Sequence, residues 1–224
     1  MVSVSGVILA AGAGTRFSDA EPKVWAHLAG RPLLWHVIDA FARSGDVDEF
    51  VVVVRAGDEH RLGGLPEVGI PLHAVRGGER RADSARAGLS RARGDYVLIH
   101  DGARPLVSPD LIQRVLEATR HHGAAVPVVP AADTARYAAN GWLRGEAIAR
   151  AGLVLIQTPQ GFRRDILSRA YGAAEDQGID FPDDAAAVLA LGHPVAAVPG
   201  DPANLKITRP EDLTLGERLL AAGS

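Results

Sequence analysis

The sequence contains no cysteine among its 224 residues. That absence excludes a disulfide framework, a metal site built on thiolates and a cysteine nucleophile. No segment is apolar over the length that a membrane span needs, and the first residues lack the basic region, apolar run and cleavage site of a signal peptide. We therefore expect a cytoplasmic protein that does not enter a membrane.

A surplus of positive charge is also missing, because the formal net charge is −3. Affinity for nucleic-acid phosphates depends on such a surplus, so a general nucleic-acid-binding role is not expected. Neither a repeat of fixed period nor a low-complexity linker interrupts the chain. The length and the hydrophobic fraction of 47% predict one globular domain over residues 1–224.

Two well-known phosphate-binding motifs are absent from the glycine-rich stretch 4–23. No glycine is followed, after four residues, by the Gly-Lys-Ser/Thr of a Walker loop. A dinucleotide fingerprint would need Gly or Ala where Phe17 stands and a helix directly after it, whereas 19–22 is typical of irregular chain. Both interpretations are therefore weakened.

What the stretch does contain is a short apolar strand, 4–10, that leads into a loop with Gly12 and Gly14. These glycines allow the backbone to approach a ligand, and Arg16 and Lys23 bring positive charge to the same place. The combination suits a polyphosphate. An ordinary strand-to-helix turn with two surface cations is the alternative.

Strand and helix patterns alternate along the rest of the chain. Strands are predicted at 49–54, 72–75, 96–99, 124–129, 154–156 and 195–198, and helices at 32–42, 80–92, 108–122, 164–177, 183–191 and the carboxyl terminus. This order predicts an α/β fold with a Rossmann-like, mostly parallel wound sheet. The pattern indicates a loop with at most one helical turn at 55–69 and a turn at 157–162.

Residues 131–152 break the alternation. Asn140-Gly141 between extended stretches is a strong hairpin signal. Too few apolar residues fall on one face for this segment to join the main core. We interpret it as a projecting β-hairpin arm that dimerises the protein by finding its partner in another subunit.

Four polar clusters follow predicted strands, at 10–23, 77–84, 101–104 and 204–209. Ligands bind at the carboxyl ends of strands in a wound sheet, so we expect these clusters to converge. They contain cations and hydroxyls without a nucleophile–base pair, which indicates chemistry by positioning. Other polar and aromatic groups have simpler explanations: His100 and the tryptophans Trp25, Trp35 and Trp142 as packing groups, and Asp183-Asp184 as a helix cap.

Seven short motifs follow one another along essentially the whole chain: Leu-Ala-Ala-Gly-Ala-Gly-Thr-Arg (9–16), Pro-Lys (22–23), Gly-Gly-Glu-Arg-Arg-Ala-Asp-Ser (77–84), His-Asp-Gly-Ala-Arg-Pro (100–105), Asp-Thr (133–134), Gln-Thr-Pro-Gln (157–160) and Asn-Leu-Lys-Ile-Thr-Arg-Pro-Glu-Asp-Leu (204–213). The first is shared by many nucleotidyltransferases. Together, the motifs resemble those of the 2-C-methyl-D-erythritol 4-phosphate cytidylyltransferase family.

The resemblance implies a fold of the nucleotide-diphospho-sugar transferase type. It also implies that CTP and methylerythritol phosphate react to give 4-diphosphocytidyl-2-C-methyl-D-erythritol and pyrophosphate, with Mg²⁺ or another divalent cation, in the non-mevalonate isoprenoid pathway. The arm resembles one that crosses to a second subunit. A homodimer with shared sites is therefore implied as well.

The resemblance also implies roles for individual residues. Arg16 and Lys23 match the pair that stabilises charge on the α-phosphate, and Arg150 and Lys206 match the residues that position the acceptor phosphate. The other implied substrate-binding residues are Thr134 and Thr158 beside the acceptor, Asp101 and Arg104 at a strand end, and Ala10, Ala11, Gly12, Gly14, Gly78, Asp83 and Ser84 around the base and triphosphate. The ligands of the metal are not implied.

Two positions depart from the family pattern. Pro182 stands where the family commonly has threonine, and Val24 replaces a residue that is often polar. Alternative functions remain: transfer of cytidylyl to another polyol phosphate such as ribitol 5-phosphate, activation of a sugar 1-phosphate with another nucleotide, and a non-catalytic nucleotide-binding regulatory domain.

Overall fold

A computed structural model describes residues 2–12, 17 and 22–222. Its strands are β1 (Val4–Leu9), β2 (His27–Leu28), β3 (Arg31–Pro32), β4 (Glu49–Val54), β5 (Leu72–Arg76), β6 (Tyr96–Asp101), β7 (Ala124–Pro130), β8 (Tyr137–Ala139), β9 (Trp142–Arg144), β10 (Val154–Ile156), β11 (Gln160–Arg163) and β12 (Ala196–Pro199). Its α-helices are α1 (Leu33–Ser44), α2 (Arg81–Arg91), α3 (Pro109–His122), α4 (Arg164–Asp176), α5 (Asp184–Ala190) and α6 (Glu211–Ala222). The strands and helices alternate as the sequence predicted.

The main sheet is mixed and mostly parallel. Its order is β10-β7-β11-β6-β1-β4-β5, and β12 also pairs with β7. Strand β1 is parallel to both of its neighbours, β4 and β6, whereas β10 and β11 run antiparallel to theirs. The predicted α/β wound sheet is confirmed.

Helices cover both faces of the sheet, which explains why its central strands are apolar on both faces. Helices α1 and α3 pack on one face, where Phe41 and Leu111 are fully buried. Helices α2, α4 and α5 pack on the other, around Phe162 and Leu167. Burial of each such side chain stabilises the fold by about 1.5–3 kcal/mol.

The segment 157–162 differs from its prediction. A turn was expected, but Gln160–Arg163 forms β11 between β6 and β7. Within this strand Phe162 is the only large apolar residue, so the sequence carries almost no strand signal, and pairing with two neighbours decides its structure. Likewise, the loop at 55–69 contains a longer 3₁₀ helix than expected, Glu59–Gly64.

The predicted hairpin at Asn140-Gly141 is confirmed. Strands β8 and β9 pair antiparallel on either side of it, and both turn residues have positive φ, 52° and 78°. That geometry is the type I′ turn that Asn-Gly favours. Every residue from 131 to 152 is exposed or half-buried, so the arm projects from the core.

The tryptophans differ in burial. Trp25 is buried, and its indole N–H donates to Asp58 Oδ2 at 3.4 Å. Trp142, on the arm, is 72% exposed. The packing interpretation is therefore wrong for Trp142 within one chain.

Across the described part of the chain, no helix has both the length and the apolar character that crossing a membrane requires.

Two helical glycines provide a matched test of how closely α2 packs on the sheet. A Cβ added at Gly88 would lie 2.5 Å from Val7 Cγ1 and 2.9 Å from Val53 Cγ2. We expect Gly88→Ala to lower the free energy of unfolding by about 1–3 kcal/mol through overpacking, measured by urea titration. At the exposed Gly172 of α4 nothing lies within 4 Å, so Gly172→Ala should instead stabilise by about 0.4–1 kcal/mol. Equal effects would contradict the close packing of α2.

Candidate active site

A cleft of about 290 Å³ lies where β1 and β6 end, beside the first turn of α2. Leu9, the last residue of β1, and Asp101, the last residue of β6, both line it. The sequence-predicted residues that line it are Ala11, Gly12, Lys23, Gly78, Ser84, Asp101 and Lys206. All four polar clusters therefore contribute to one edge of the sheet, as expected for a wound fold.

One wall of the cleft depends on the absence of side chains. A Cβ at Gly77 would lie 2.3 Å from the Cβ of Ala11, so the loops after β1 and β5 approach this closely only because residue 77 is glycine. The backbone N–H of Gly78 donates to Ser84 Oγ at 3.2 Å. This wall offers backbone groups and small side chains to a ligand.

The chain uses lysine sparingly. It has 24 lysine and arginine residues, of which only Lys23 and Lys206 are lysines, and both line the cleft. Lys23 opens a 3₁₀ turn whose next two residues, Val24 and Trp25, are buried. Val24, one of the departures from the family pattern, thus anchors the segment that carries Lys23.

Lys206 is held by its neighbours on both sides. Ile207 is fully buried, and its N–H donates to Ala103 O at 2.8 Å. Asn204, also fully buried, donates through Nδ2 to Thr158 O at 2.8 Å. These contacts fix the backbone around Lys206 against the loop that follows β6 and against the turn that precedes β11.

Asp101 is the centre of charge in the cleft. Its Oδ2 lies 2.6 Å from Lys206 Nζ, and its Oδ1 lies 3.6 Å from Arg81 Nε. Burial acts to raise the pKa of Asp101, but the positive charges of Lys206 and Arg81 outweigh it and hold the pKa well below its usual range. Asp101 is therefore an ionised carboxylate at neutral pH.

Behind Asp101, a hydrogen-bond chain fixes the loop. The Asp101 N–H donates to Thr158 Oγ1 at 3.1 Å, and Thr158 Oγ1 lies 3.0 Å from His100 Nδ1. His100 Nε2 lies 3.1 Å from Arg104 O, which only accepts. Burial lowers the pKa of His100 to about 4, so the ring is neutral at neutral pH; its proton is then on Nε2, and Thr158 donates to Nδ1. In this structure Thr158 supports the Asp101 loop.

Arg104 also supports this loop. Its Nη1 donates to Asn204 O at 2.8 Å. Its Nε and Asn204 Oδ1 are buried polar atoms that have no partner among the described residues. Neither residue is among those that line the cleft.

The other predicted residues lie outside the described lining of the cleft. Ala10 is buried beside it. Asp83 accepts from Arg80 Nη2 at 2.8 Å and Arg86 Nη2 at 3.0 Å, so it fixes Arg80, which itself lines the cleft. Their substrate-binding roles remain predictions.

Thr134 and Arg150 lie on the arm and are exposed. Arg150 Nη1 donates to Ala132 O at 2.9 Å, which closes the base of the arm. The structure of this single chain does not bring these two residues into the cleft. Gly14 and Arg16 lie outside the described residues.

Sequence reasoning missed cleft residues whose signal was present. Arg81, Arg80, Glu79 and Gly77 all belong to the motif at 77–84, and the first three line the cleft. It also missed Asp184, which was interpreted together with Asp183 as a helix cap. Asp183 Oδ1 does cap α5, accepting from Ala186 N at 2.8 Å, but Asp184 is buried and pairs with Arg81. A cap signal cannot reveal a partner 103 residues away.

Comparisons with known proteins agree with this geometry. The family model described as 2-C-methyl-D-erythritol 4-phosphate cytidylyltransferase (IspD) matches residues 4–222. A protein of that name from Pelotomaculum thermopropionicum is 41% identical over 99% of this chain and 96% of its own length. The crystal structure of the one from Thermus thermophilus superposes with a TM-score of 0.81 at 38% identity, covering 96% of this chain and 98% of that one.

Longer relatives match as well. The bifunctional enzyme IspD/IspF of Anaeromyxobacter sp. strain Fw109-5 is 43% identical over 98% of this chain, but the chain spans only 58% of that protein's length. The match thus covers one part of a larger relative.

The buried His100 predicts how stability depends on pH. Burial lowers its pKa from 6.5 to about 4, although the hydrogen bond to Arg104 O opposes this. The unfolded state therefore binds a proton that the folded state does not, and stability is lost as the pH falls from 6.5 to about 4, by about 3 kcal/mol. Urea titrations across this range should show a shallower loss for His100→Gln. His122→Gln, at an exposed histidine, is the control, and equal slopes for all three proteins would contradict the assignment.

Proposed function

The chain belongs to the 2-C-methyl-D-erythritol 4-phosphate cytidylyltransferase family, and on that premise we propose that it joins CTP and methylerythritol phosphate to give 4-diphosphocytidyl-2-C-methyl-D-erythritol and pyrophosphate. The product is a precursor in the non-mevalonate isoprenoid pathway. The observation that carries the proposal is the cleft at the end of β6, which both lysines of the chain line and in which Lys206 contacts an ionised carboxylate. One nucleotidyltransferase domain with a dimerisation arm, working in the cytoplasm, accounts for the whole chain.

The chemistry requires positive charge more than it requires a base. A phosphate monoester is already a nucleophile at neutral pH, and the barrier is repulsion between two anions. In-line attack on the α-phosphorus gathers negative charge on its equatorial oxygens and on the departing pyrophosphate, which Lys23 and Arg16 stabilise. Holding both anions in one cleft adds a proximity contribution. His100 is neutral and fully buried, so it takes no part as a base.

The acceptor is oriented by a second group of residues at the cleft. Lys206 positions its phosphate, together with Arg150 supplied by the arm. Because Lys206 already contacts Asp101 at 2.6 Å, the phosphate shares this ammonium with the carboxylate. Asp101 in turn accepts from the acceptor's hydroxyls, and Arg104 holds the loop that follows Asp101 through its hydrogen bond to Asn204 O. Ala11, Gly12, Gly78 and Ser84 form the wall that faces the nucleotide.

A divalent cation such as Mg²⁺ is compatible with this cleft, which two carboxylates, Glu79 and Asp101, line. The described residues contain no group of three or more metal-ligating side chains, but Mg²⁺ keeps several waters and commonly needs only one or two carboxylates plus substrate phosphates. Asp101 would be its protein ligand. The ion neutralises triphosphate charge when bound.

The arm supports a homodimer. Tyr137, Trp142 and Leu143 are 71%, 72% and 70% exposed, and all three residues of the edge strand β10 are exposed as well. Contiguous exposed apolar groups mark interaction sites. A second copy that covers them would bring Thr134 and Arg150 of one subunit to the cleft of the other. No nucleic acid or membrane is needed as a partner.

Turnover should depend on both substrates. With Mg²⁺ and methylerythritol phosphate we expect pyrophosphate release from CTP and little from ATP, GTP or UTP, measured by a coupled phosphate assay. Ribitol 5-phosphate is the competing acceptor. Turnover with ribitol 5-phosphate alone would overturn the substrate assignment, and nucleotide binding without any turnover would favour a regulatory domain.

The two lysines allow a direct test of site occupancy. After reductive ¹³C-methylation, the side-chain spectrum should contain one signal from Lys23 and one from Lys206. CTP should shift the Lys23 signal and methylerythritol phosphate the Lys206 signal.

Lys23→Ala should lower kcat by about 10²- to 10³-fold with a smaller loss of CTP affinity, and Arg43→Ala, at an exposed cation of α1, is the control. Equal losses of kcat and of CTP affinity would show that Lys23 only binds CTP in the ground state and does not stabilise the transition state.

Shared sites can be tested by subunit complementation. Lys23→Ala and Arg150→Ala should each inactivate the dimer. If Arg150 serves the partner's site, mixed dimers contain one intact site, and a 1:1 mixture after subunit exchange should recover about a quarter of wild-type activity. Arg136→Ala, at another cation of the arm, is the control. A monomer in sedimentation that is fully active, or a mixture without recovery, would contradict the shared site.

A further inference from the structure

Arg81 lines the cleft, and its guanidinium group is fixed by two hydrogen bonds to a buried carboxylate. It is the first residue of α2, and its Nη1 and Nη2 donate to the two carboxylate oxygens of Asp184 at 3.0 and 2.8 Å. The guanidinium edge that carries Nε faces the cleft, where it lies 3.6 Å from Asp101 Oδ1. One side chain thus spans two carboxylates.

Asp184 is the first residue of α5 but does not make its capping hydrogen bond. Its neighbour Asp183 caps α5, while Asp184 is 1% exposed and accepts a hydrogen bond from the Tyr171 hydroxyl of α4. Burial of a carboxylate is costly unless it is paired, and replacing a buried ion pair by apolar side chains is often neutral or stabilising. Stability alone therefore does not explain this group.

The charges alternate from the cleft inward. Lys206 contacts Asp101, Asp101 faces Arg81, Arg81 pairs with Asp184, and Asp184 accepts from Tyr171. Burial acts to lower the pKa of Arg81, but the charge of Asp184 outweighs it and raises the pKa. Burial and the same carboxylate raise the pKa of Tyr171, so its hydroxyl remains a donor.

We propose that Asp184 and Tyr171 are positioning residues for the reaction: they fix Arg81 so that its Nε faces Asp101 and keeps that carboxylate oriented. This inference rests on the function proposed above, because Asp101 needs a second cation only if Lys206 also binds the acceptor phosphate. When Lys206 is shared with the acceptor phosphate, Asp101 loses part of its tightest contact. Arg81, held in place by Asp184, remains beside Asp101 as its second cation.

The geometry also explains why residue 81 is arginine. A guanidinium can pair with one carboxylate through its two terminal nitrogens and still direct Nε to another group, and its planar fork is rigid. A lysine ammonium has no second edge to direct. The Asp184 pairing therefore sets the direction in which Arg81 points.

The test compares two adjacent carboxylates. Asp184→Asn keeps the shape of the side chain but removes the charge that binds Arg81, and Asp183→Asn is the matched control, since asparagine also caps helices. We expect kcat/KM for the acceptor to fall about 10- to 100-fold in Asp184→Asn and to stay within about twofold in Asp183→Asn. Tyr171→Phe, a milder change that keeps the ion pair, should cost about threefold.

A double-mutant cycle separates positioning from folding. If Asp184 acts through Arg81, the Arg81→Gln/Asp184→Asn double variant should be within about twofold of Arg81→Gln alone. All variants are assayed well below their melting temperatures, which are measured in parallel. A lower melting temperature with unchanged kcat/KM, or losses that multiply independently, would overturn the proposal.

A structural readout distinguishes this inference from the proposed function. The ¹⁵N signal of Arg81 Nε–H should be resolved and slow to exchange in the wild type and in Asp183→Asn, and lost or shifted in Asp184→Asn. If the wild type does not turn over CTP and methylerythritol phosphate, the proposed function fails, whichever way the Nε–H signal behaves. If the wild type is active and the signal survives in Asp184→Asn, the positioning role fails.

Discussion

A buried negative charge at the end of a central strand sets the requirements that the rest of the cleft meets. Asp101 terminates β6, where it is almost fully enclosed, and an isolated carboxylate there would be strongly unfavourable. Two cations that are distant in sequence, Arg81 before it and Lys206 after it, balance its negative charge. The segment around Lys206 and the first turn of α2 are therefore brought together by electrostatics as well as by packing.

Arginine and lysine side chains make different kinds of contact in and around the cleft. Arginines such as Arg81 and Arg104 make directed, multi-point contacts that hold loops and helix ends. The two lysines, in contrast, both line the cleft, where a compact charge with rotatable donors can follow a phosphate. Lys23, Arg80, Arg81 and Lys206 all line the cleft, so a chain of net charge −3 presents a local cluster of positive charge there.

Prediction from sequence succeeded where a pattern repeats locally. The four consecutive valines of β4 and the Asn-Gly turn of the arm each carry their structure within a few residues. It failed for β11, whose strand conformation comes from pairing with β6 and β7. It also failed for Asp184, because a buried ion pair between α2 and α5 leaves no mark in either segment that differs from a surface charge or a cap.

The sequence by itself determined the α/β class, the arm and the motif series, because periodicity, turn chemistry and contiguous motifs are properties of neighbouring residues. It also named Lys23, Asp101 and Lys206 as members of one site. Only the tertiary structure decided that Thr158 supports the Asp101 loop and that Arg81 spans two carboxylates. The physical reason is that the burial and pairing of a side chain depend on which distant segments pack together. In the low dielectric of the buried contact, the interactions between charged groups are strong, so each charge must have a partner.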